Sequence, residues 1–303
     1  MIKNIHKLLE DKDFAELVKG SSISFFLRFG GLGAGYILTL VIANLFGAKG
    51  LGDYVLAITV LGIFTLFAKI GLDTTSIRFI ASFASQQKWT SIFSFRKKVV
   101  SILTLTSLVS SFLMYFLAIP ISDLINANPK YIELNAFFVL PLAFFMLHYQ
   151  SLRGLKKIAE FSFFYRVSQA LFSIISIAVI YQFIQTSEVP LYSYLVSLVI
   201  VSLLSFLSFQ YSLKKQSATK ESAVKEVMTY SDIIKISIPL MFAQSVQYVM
   251  AWTDKLILGN MATPEEVGIY FTSFKLSMFA AVGLMAINSI ASPKFAEMFG
   301  KND

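Results

Sequence analysis

The sequence predicts an all-α, polytopic integral membrane protein, and three observations carry that prediction. Eight long apolar segments recur near 22–46, 51–70, 99–119, 131–152, 161–184, 189–213, 236–258 and 266–291. Each offers about 20 mainly apolar residues, the length an α-helix needs to cross a hydrocarbon layer about 30 Å thick. The composition agrees: 56% hydrophobic and only 15% charged residues, with a mean hydropathy of +0.68, fit a chain whose solvent is lipid. The third observation is that nearly all lysine and arginine falls on one side of these segments.

That asymmetry orients the chain with its N-terminus in the cytoplasm. The N-terminal arm (Lys3, Lys7, Lys12, Lys19), the even-numbered gaps and the tail hold nineteen basic residues. The opposite side holds Lys49 and Lys130. The net charge of +8 is thus a topology signal, and no nucleic-acid partner is implied. Residues 1–21 read as an interfacial amphipathic helix, with Ile5, Leu8, Leu9, Phe14, Leu17 and Val18 on one face. Six spans over 22–213 form an N-lobe. In the gap after the second span, Ile77, Ile80, Ala81 and Ala84 set out one helical stripe. The 214–235 stretch, polar and rich in lysine, reads as a cytoplasmic linker. Residues 236–303 then open a second lobe. The first apolar segment is too long for a signal peptide and no small-residue cleavage site follows it.

An internal repeat motivates the division into lobes. A shift of 216 residues brings Asn44 onto Asn260, Gly52 onto Gly268 and Tyr54 onto Tyr270. It also brings Ser76 onto Ser292, Arg78 onto Lys294, Phe79 onto Phe295 and Phe83 onto Phe299. An even number of spans per repeat makes it a parallel repeat. On that arithmetic the second lobe stops at the counterpart of Gln87, so the expectation is a lobe of six helices plus the first two of an incomplete second lobe, beside an open cleft.

The stretch LVIANLFGAKGLGDYVLAITVLGIFTLFAKIGLDTTSIRFIA, residues 40–81, together with Arg28, resembles the polysaccharide-transport and O-antigen flippase branch of the multidrug/oligosaccharidyl-lipid/polysaccharide exporter superfamily. The matching features are an arginine in the first helix, a Gly-x-Tyr turn (Gly52, Tyr54) and Gly-Leu-x-x-x-x-x-Arg after the second helix (Gly71, Leu72, Arg78). WTDKLILGNMATPEEVGIYFTSFKL, residues 252–276, repeats the flavour. The resemblance implies a MATE-like exporter fold in a bacterial inner membrane. It implies a lipid-linked oligosaccharide as substrate, possible coupling to H+ or Na+, and polysaccharide assembly proteins as partners. Family members carry more helices than this chain, so a truncated inactive member is one alternative.

Ionisable groups inside membrane helices are costly and mark function by default. Arg28, Arg166, Lys255 and Lys275 are the candidate substrate-binding residues, forming a cationic cavity for a pyrophosphate and sugar headgroup. Arginine suits phosphate because its planar fork donates two parallel hydrogen bonds. Lys69, near the inner end of its helix, is expected to snorkel to the surface. Asp254 is either an ion-coupling site or the structural partner of a lysine or arginine, and Lys255, about 100° away on the helix, is not the obvious one. Gly31 and Gly35, inside GGLGAG at 30–35, form a small-xxx-small packing face; that run lacks the spacing and the preceding strand of a nucleotide loop. Pro141 is expected to kink the fourth span and Pro239 to open the seventh. Trp89, Tyr149, Tyr181 and Tyr194 read as interfacial or packing residues, whereas Tyr165 and Tyr248 fit packing or sugar stacking.

Zero cysteines exclude disulfides, thiolate metal sites and cysteine nucleophiles. His6 and His148 are far apart, so neither a metal cluster nor a cofactor is implied. Short outer gaps leave no room for an extracytoplasmic catalytic domain, which argues against a polymerase or glycosyltransferase. A multidrug exporter of the same fold is the remaining rival, but its cationic drugs favour an acidic cavity, and here the intramembrane cations outnumber Asp254.

Overall fold

The computed structural model describes residues 12–217 and 228–279, with side chains from residue 23 onward. Among these residues every regular element is helical. The order is α1 (Lys12–Lys69), α2 (Leu72–Ser85), α3 (Trp89–Phe116), α4 (Ala118–Leu124), α5 (Pro129–Ala136), α6 (Val139–Gly154), α7 (Ile158–Phe163), a π turn (Phe164–Ser168), α8 (Gln169–Ile180), α9 (Val189–Ser217) and α10 (Tyr230–Met261). A final helix, α11, is described over 264–279. Five helices are long and apolar enough to cross a membrane, and α5 with α6 adds a sixth as one span bent by 54°. The protein is a multi-pass membrane protein.

The first two apolar segments are fused in α1, whose apolar part runs for 47 residues, about 70 Å at 1.5 Å per residue. That is roughly twice the hydrocarbon thickness. Gly47 divides it: its φ of 74° and ψ of 176° lie in a region open to glycine alone at no steric cost. The halves, α1a (12–46) and α1b (48–69), pack on different partners. Ser24, Gly31 and Phe46 of α1a meet Ser162, Arg166 and Tyr181 in order, so α1a runs alongside the fifth span in the same direction. Thr106 and Ser110 of α3 donate to the carbonyls of Ala68 and Phe64 on α1b, in antiparallel order. At its start α1 is helical from Lys12, so the expected interfacial helix continues into the first span without a break; residues 1–11 lie outside the described residues.

The remaining elements follow from local chemistry. The α5–α6 bend falls at Phe137–Phe138, because Pro141 in the first turn of α6 cannot donate to the Phe137 carbonyl and its ring crowds it. α2 buries Leu72, Asp73, Thr75, Ser76, Ile80 and Phe83. The stripe is thus rotated from the expected one, of which only Ile80 is buried; Ile77, Ala81 and Ala84 are half-buried. α10 starts at a capping box between Thr229 and Asp232, nine residues before Pro239, which therefore sits inside the helix rather than opening it. The helices on either side shorten the expected linker, and its residues 218–227 lie outside those described.

Alternate gaps sort to opposite faces, as successive crossings require. On one face the Asn126 side chain donates to the carbonyls of Gly259 (3.0 Å) and Asn260 (3.3 Å), and that of Asn260 donates to Leu124 (2.6 Å). Tyr131 and Ser187 are hydrogen-bonded there as well. On the other face Lys98 donates to the Met228 carbonyl, Gln216 to that of Leu155 and Arg96 to Gln210. The second face is the lysine-rich one.

Residues related by the 216-residue shift touch reciprocally. A Cβ on Gly52 would lie 1.6 Å from the Pro264 carbonyl oxygen, and one on Gly268 would lie 2.0 Å from that of Ala48. Positions 48 and 264, like 52 and 268, are 216 apart, so each contact is the image of the other. The Trp252 ring lies against Gly62, and the ring of its counterpart Tyr36 packs edge-on against Phe279 at 5.2 Å, one position beyond the image of Gly62. The exchange at Gly52 and Gly268 is what a two-fold relation between the pairs α1a–α1b and α10–α11 would give. The repeat matches beyond residue 279, including Ser292, Lys294, Phe295 and Phe299, lie outside the described residues. α10 buries only Ile233, Ser237, Lys255 and Gly259, so its face away from α1 is open.

These contacts predict opposite signs for two glycine substitutions. Gly33→Ala meets nothing within 4 Å and should stabilise the protein by about 0.5–1 kcal/mol through helix propensity. Gly52→Ala must displace backbone and should destabilise by about 1–3 kcal/mol. Thermal unfolding in detergent measures both, and equal shifts would contradict the packing described.

Candidate functional site

Arg28, Arg166 and Lys275 gather along α1a, and Lys255 of α10 lies next to Lys275. Arg28 is half-buried on α1a. Opposite it, the π turn at Phe164–Ser168 carries Arg166; a π turn inserts one extra residue and re-aims the side chains around it. Arg166 presses against Gly31, where a Cβ would stand 2.7 Å from its carbonyl oxygen and 2.9 Å from its own Cβ. Only a glycine lets the two backbones come this close, so Gly31 serves the packing expected of it. Arg28 and Arg166 are near enough to feel each other's charge.

One turn further along α1a, a Cβ on Gly35 would lie 3.7 Å from the Lys275 ammonium. Gly35 thus faces a lysine from α11 at ordinary contact distance, and unlike Gly31 it admits no second backbone. Lys275 in turn couples to Lys255 of α10. The Lys255 ammonium donates to the Ala251 carbonyl at 2.6 Å and lies over the Phe274 ring. The structure therefore brings the four candidate residues together as a row: Arg28, Arg166, Lys275, Lys255. Among the described residues, Arg28, Arg166 and Lys275 have no carboxylate partner, and Arg166 Nε is buried without an acceptor.

Among the described residues, the acid beside the row is Asp254. It accepts from the Tyr270 hydroxyl at 2.9 Å and lies 3.9 Å from the Lys255 ammonium. Lys255, set aside in the sequence reading as a partner, is the nearest cation after all, because the long lysine stem reaches around the helix. The contact is at the outer limit of an ion pair, so the tyrosine is the closer partner. Tyr270 ends the second Gly-x-Tyr motif, which, like the first, lies within a helix rather than in the expected turn; the bond to Asp254 gives that residue a specific task.

Lys69 overturns the snorkelling expectation. It is 3% exposed and donates to Asp73 at 2.6 Å and to Gln244 Oε1 at 2.7 Å, with the Tyr248 hydroxyl at 3.4 Å. Gln244 returns its amide to Asp73 at 3.3 Å and to Thr74. The reason is Gly71: with φ at 76° it ends α1 and turns α2 so that Asp73 faces back onto Lys69, and α10 seals the pair. A Cβ on Gly71 would stand 2.3 Å from the Ser237 carbonyl oxygen. Thr75 and Ser237 share a hydrogen bond of 2.7 Å beside it. Asp73 and Gln244 were not singled out from the sequence; the spacing Lys-x-x-x-Asp across a glycine was the available signal.

An aromatic ladder leads from the lysine-rich face to the row. Arg153 lies over Phe161 (5.3 Å), Phe161 stacks on Tyr165 (5.5 Å, 10° between planes), and Arg166 lies over Tyr165 (5.1 Å). Tyr149 packs against Phe161 and Tyr165 and lies close enough to Asp73 and Tyr248 to couple to them. Trp89 and Tyr149 are buried; Tyr181 packs on Phe46 and Tyr194 on Tyr54. Chemically the row can hold an anion with several phosphoryl oxygens, and the ladder offers flat faces to a sugar. No group of three potential metal ligands occurs among the described residues.

The Lys69–Asp73 pair gives a stability test. Lys69→Met alone strands a buried carboxylate and should cost about 3–5 kcal/mol. The double variant Lys69→Met/Asp73→Leu removes both charges and should cost less than the single one. Chemical unfolding of the parent, Lys69→Met, Asp73→Leu and the double variant checks this, and strict additivity would contradict a buried, coupled pair.

A family model described as polysaccharide biosynthesis protein matches residues 17–299. Comparison with curated proteins and with solved structures gave no match. With nearly the whole chain covered, the protein belongs to the polysaccharide biosynthesis protein family.

Proposed function

We propose that the protein is a flippase that carries a polyprenyl-pyrophosphate-linked oligosaccharide, such as an O-antigen, capsule or exopolysaccharide repeat unit, from the cytoplasmic to the outer leaflet of a bacterial inner membrane. The observation that carries this reading is the row of four cations, three of which have no carboxylate partner among the described residues. A buried positive charge in lipid is costly, and a row of them is sustained by a polyanionic ligand and water. The pyrophosphate would travel along Arg28, Arg166, Lys275 and Lys255 while the lipid tail stays in the bilayer. An acidic cavity suited to cationic drugs is the opposite of this arrangement.

In this reading the lysine-rich face is cytoplasmic, with the N-terminus on it, and two like-oriented lobes alternate access to the row. The domain division is 22–213, a linker at 214–235 and a second lobe from 236. The reciprocal contacts of Gly52 with Pro264 and of Gly268 with Ala48 support a two-fold pivot on the outer side. Asp254, with Tyr270 and Lys255 around it, is the place where H+ or Na+ uptake would act on the row. The protein breaks and forms no bond; it is a carrier and not an enzyme, and it works beside the proteins that assemble the polymer.

In cells making the polymer, Arg28→Ala should reduce surface glycan at least tenfold and leave finished lipid-linked units on the cytoplasmic leaflet. Arg28→Lys should retain part of the activity if charge outweighs fork geometry. The leaflet distribution of the lipid-linked unit measures this. Absence of that unit altogether would point to an enzyme, and normal outer-leaflet delivery by Arg28→Ala would remove Arg28 from the path.

A further inference from the structure

The lysine-rich face carries a second basic site, remote in sequence and chemistry from the cation row. A cavity of about 370 Å³ opens between the end of α2, the α2–α3 turn, the start of α7 and the end of α9. Its walls include Ser85, Gln87, Trp89, Lys157, Lys215 and Gln216. The two turns that frame it hold non-glycine residues in the left-handed region, Gln87 at φ 59° and Lys156 at φ 59°. Each is the left-handed residue that closes a helix: the Lys88 N–H returns to the Phe83 carbonyl at the end of α2, and the Lys157 N–H to the Leu152 carbonyl at the end of α6.

Trp89 is the informative wall. It is 8% exposed, and its indole N–H is buried with no acceptor. An indole nitrogen only donates, and a buried donor left unmade is expensive. The cavity beside it brings Lys157 and Lys215 from two different elements, and the start of α3 adds the positive end of a helix. Among the described residues lining it there is no carboxylate. Two cations from different elements beside a tryptophan and a helix start suit an oxyanion.

We infer that this cavity binds the phosphate of an anionic headgroup. A phospholipid of the inner leaflet brings that group to this depth: the site lies at the end of the spans, where basic pockets between helices take lipid headgroups and where tryptophan is at home. The Trp89 ring walls the headgroup on one side, and Lys157 and Lys215 neutralise the charge of the phosphate. A soluble phosphate supplies the same oxygen without the acyl chains. The site ties together α2, α3, α7 and α9, so its occupant braces the lysine-rich end of the six-span lobe.

The test uses the full chain purified in detergent, with native mass spectrometry across titrations of phosphatidylglycerol, phosphatidylcholine and inorganic phosphate. The expected result is retention of phosphatidylglycerol over phosphatidylcholine, weakened about tenfold in Lys157→Gln/Lys215→Gln, as for loss of about 1.4 kcal/mol. Competition by inorganic phosphate at equal concentration identifies the soluble anion as the occupant; its failure to compete identifies the lipid, and both uphold the oxyanion site. The chain has two tryptophans, so Trp252→Phe leaves Trp89 as sole reporter. Its emission should then shift with phosphatidylglycerol and stay unchanged in the double lysine variant. Equal retention of the two lipids, or unchanged retention in that variant while it stays folded, would overturn the inference.

Discussion

A buried ion pair holds the two helix pairs of this protein together. Lys69 and Asp73 are each 3% exposed, and neither can be left alone in a medium without water. The pair is completed from across the seam by Gln244, which receives from the lysine and donates to the carboxylate. α10 is otherwise poorly buried and keeps most of its apolar surface outward. Its position is therefore set by a few polar contacts and close backbone approaches rather than by an extensive apolar core, as expected where lipid competes with side chains for apolar surface. Polar contacts of this kind have two discrete states, made or broken, which suits elements that must move.

Electrostatics and small residues then act together. The cations of the row repel one another, and only tight framing keeps them adjacent. Gly31 admits the Arg166 backbone, and Gly35 faces the Lys275 ammonium at ordinary contact distance. Aromatic faces under Arg166, Lys255 and Lys275 supply part of the stabilisation that carboxylates give elsewhere, without cancelling the charge. The row thus stays positive and receptive. At the far face Gly52 and Gly268 allow the reciprocal approach of the two helix pairs, so the same residue type serves both the site and the joint.

Much of this was legible in the sequence, for identifiable reasons. Span length and lysine placement report directly on the bilayer, so the spans and their alternating faces could be read along the chain. The repeat interval picked out Gly52 and Gly268, which do meet each other's helices. Periodicity failed where a single residue redirects the chain. Gly71 turns α2 so that Asp73 faces Lys69, which no local pattern reveals, and a lysine near a helix end then looks like a snorkel. The π turn at Arg166 has no sequence signature, since it arises from packing against Gly31. Pro239 was read as a helix start because proline favours the first turn, but the capping box at Thr229 and Asp232 placed the start earlier.

In the proposed alternating access, the two lobes part on the lysine-rich side, so the seam between Thr75 and Ser237, beside the Lys69–Asp73 pair, has to open. The chain contains no cysteine, and the two hydroxyls lie 2.7 Å apart, so Thr75→Cys/Ser237→Cys places a single pair of thiols at the seam. The measurement is delivery of lipid-linked glycan to the outer leaflet before and after oxidation of that pair. The account predicts that the disulfide forms, that delivery stops, and that a reductant restores it. Failure of the pair to cross-link, or undiminished delivery by fully cross-linked protein, would contradict it.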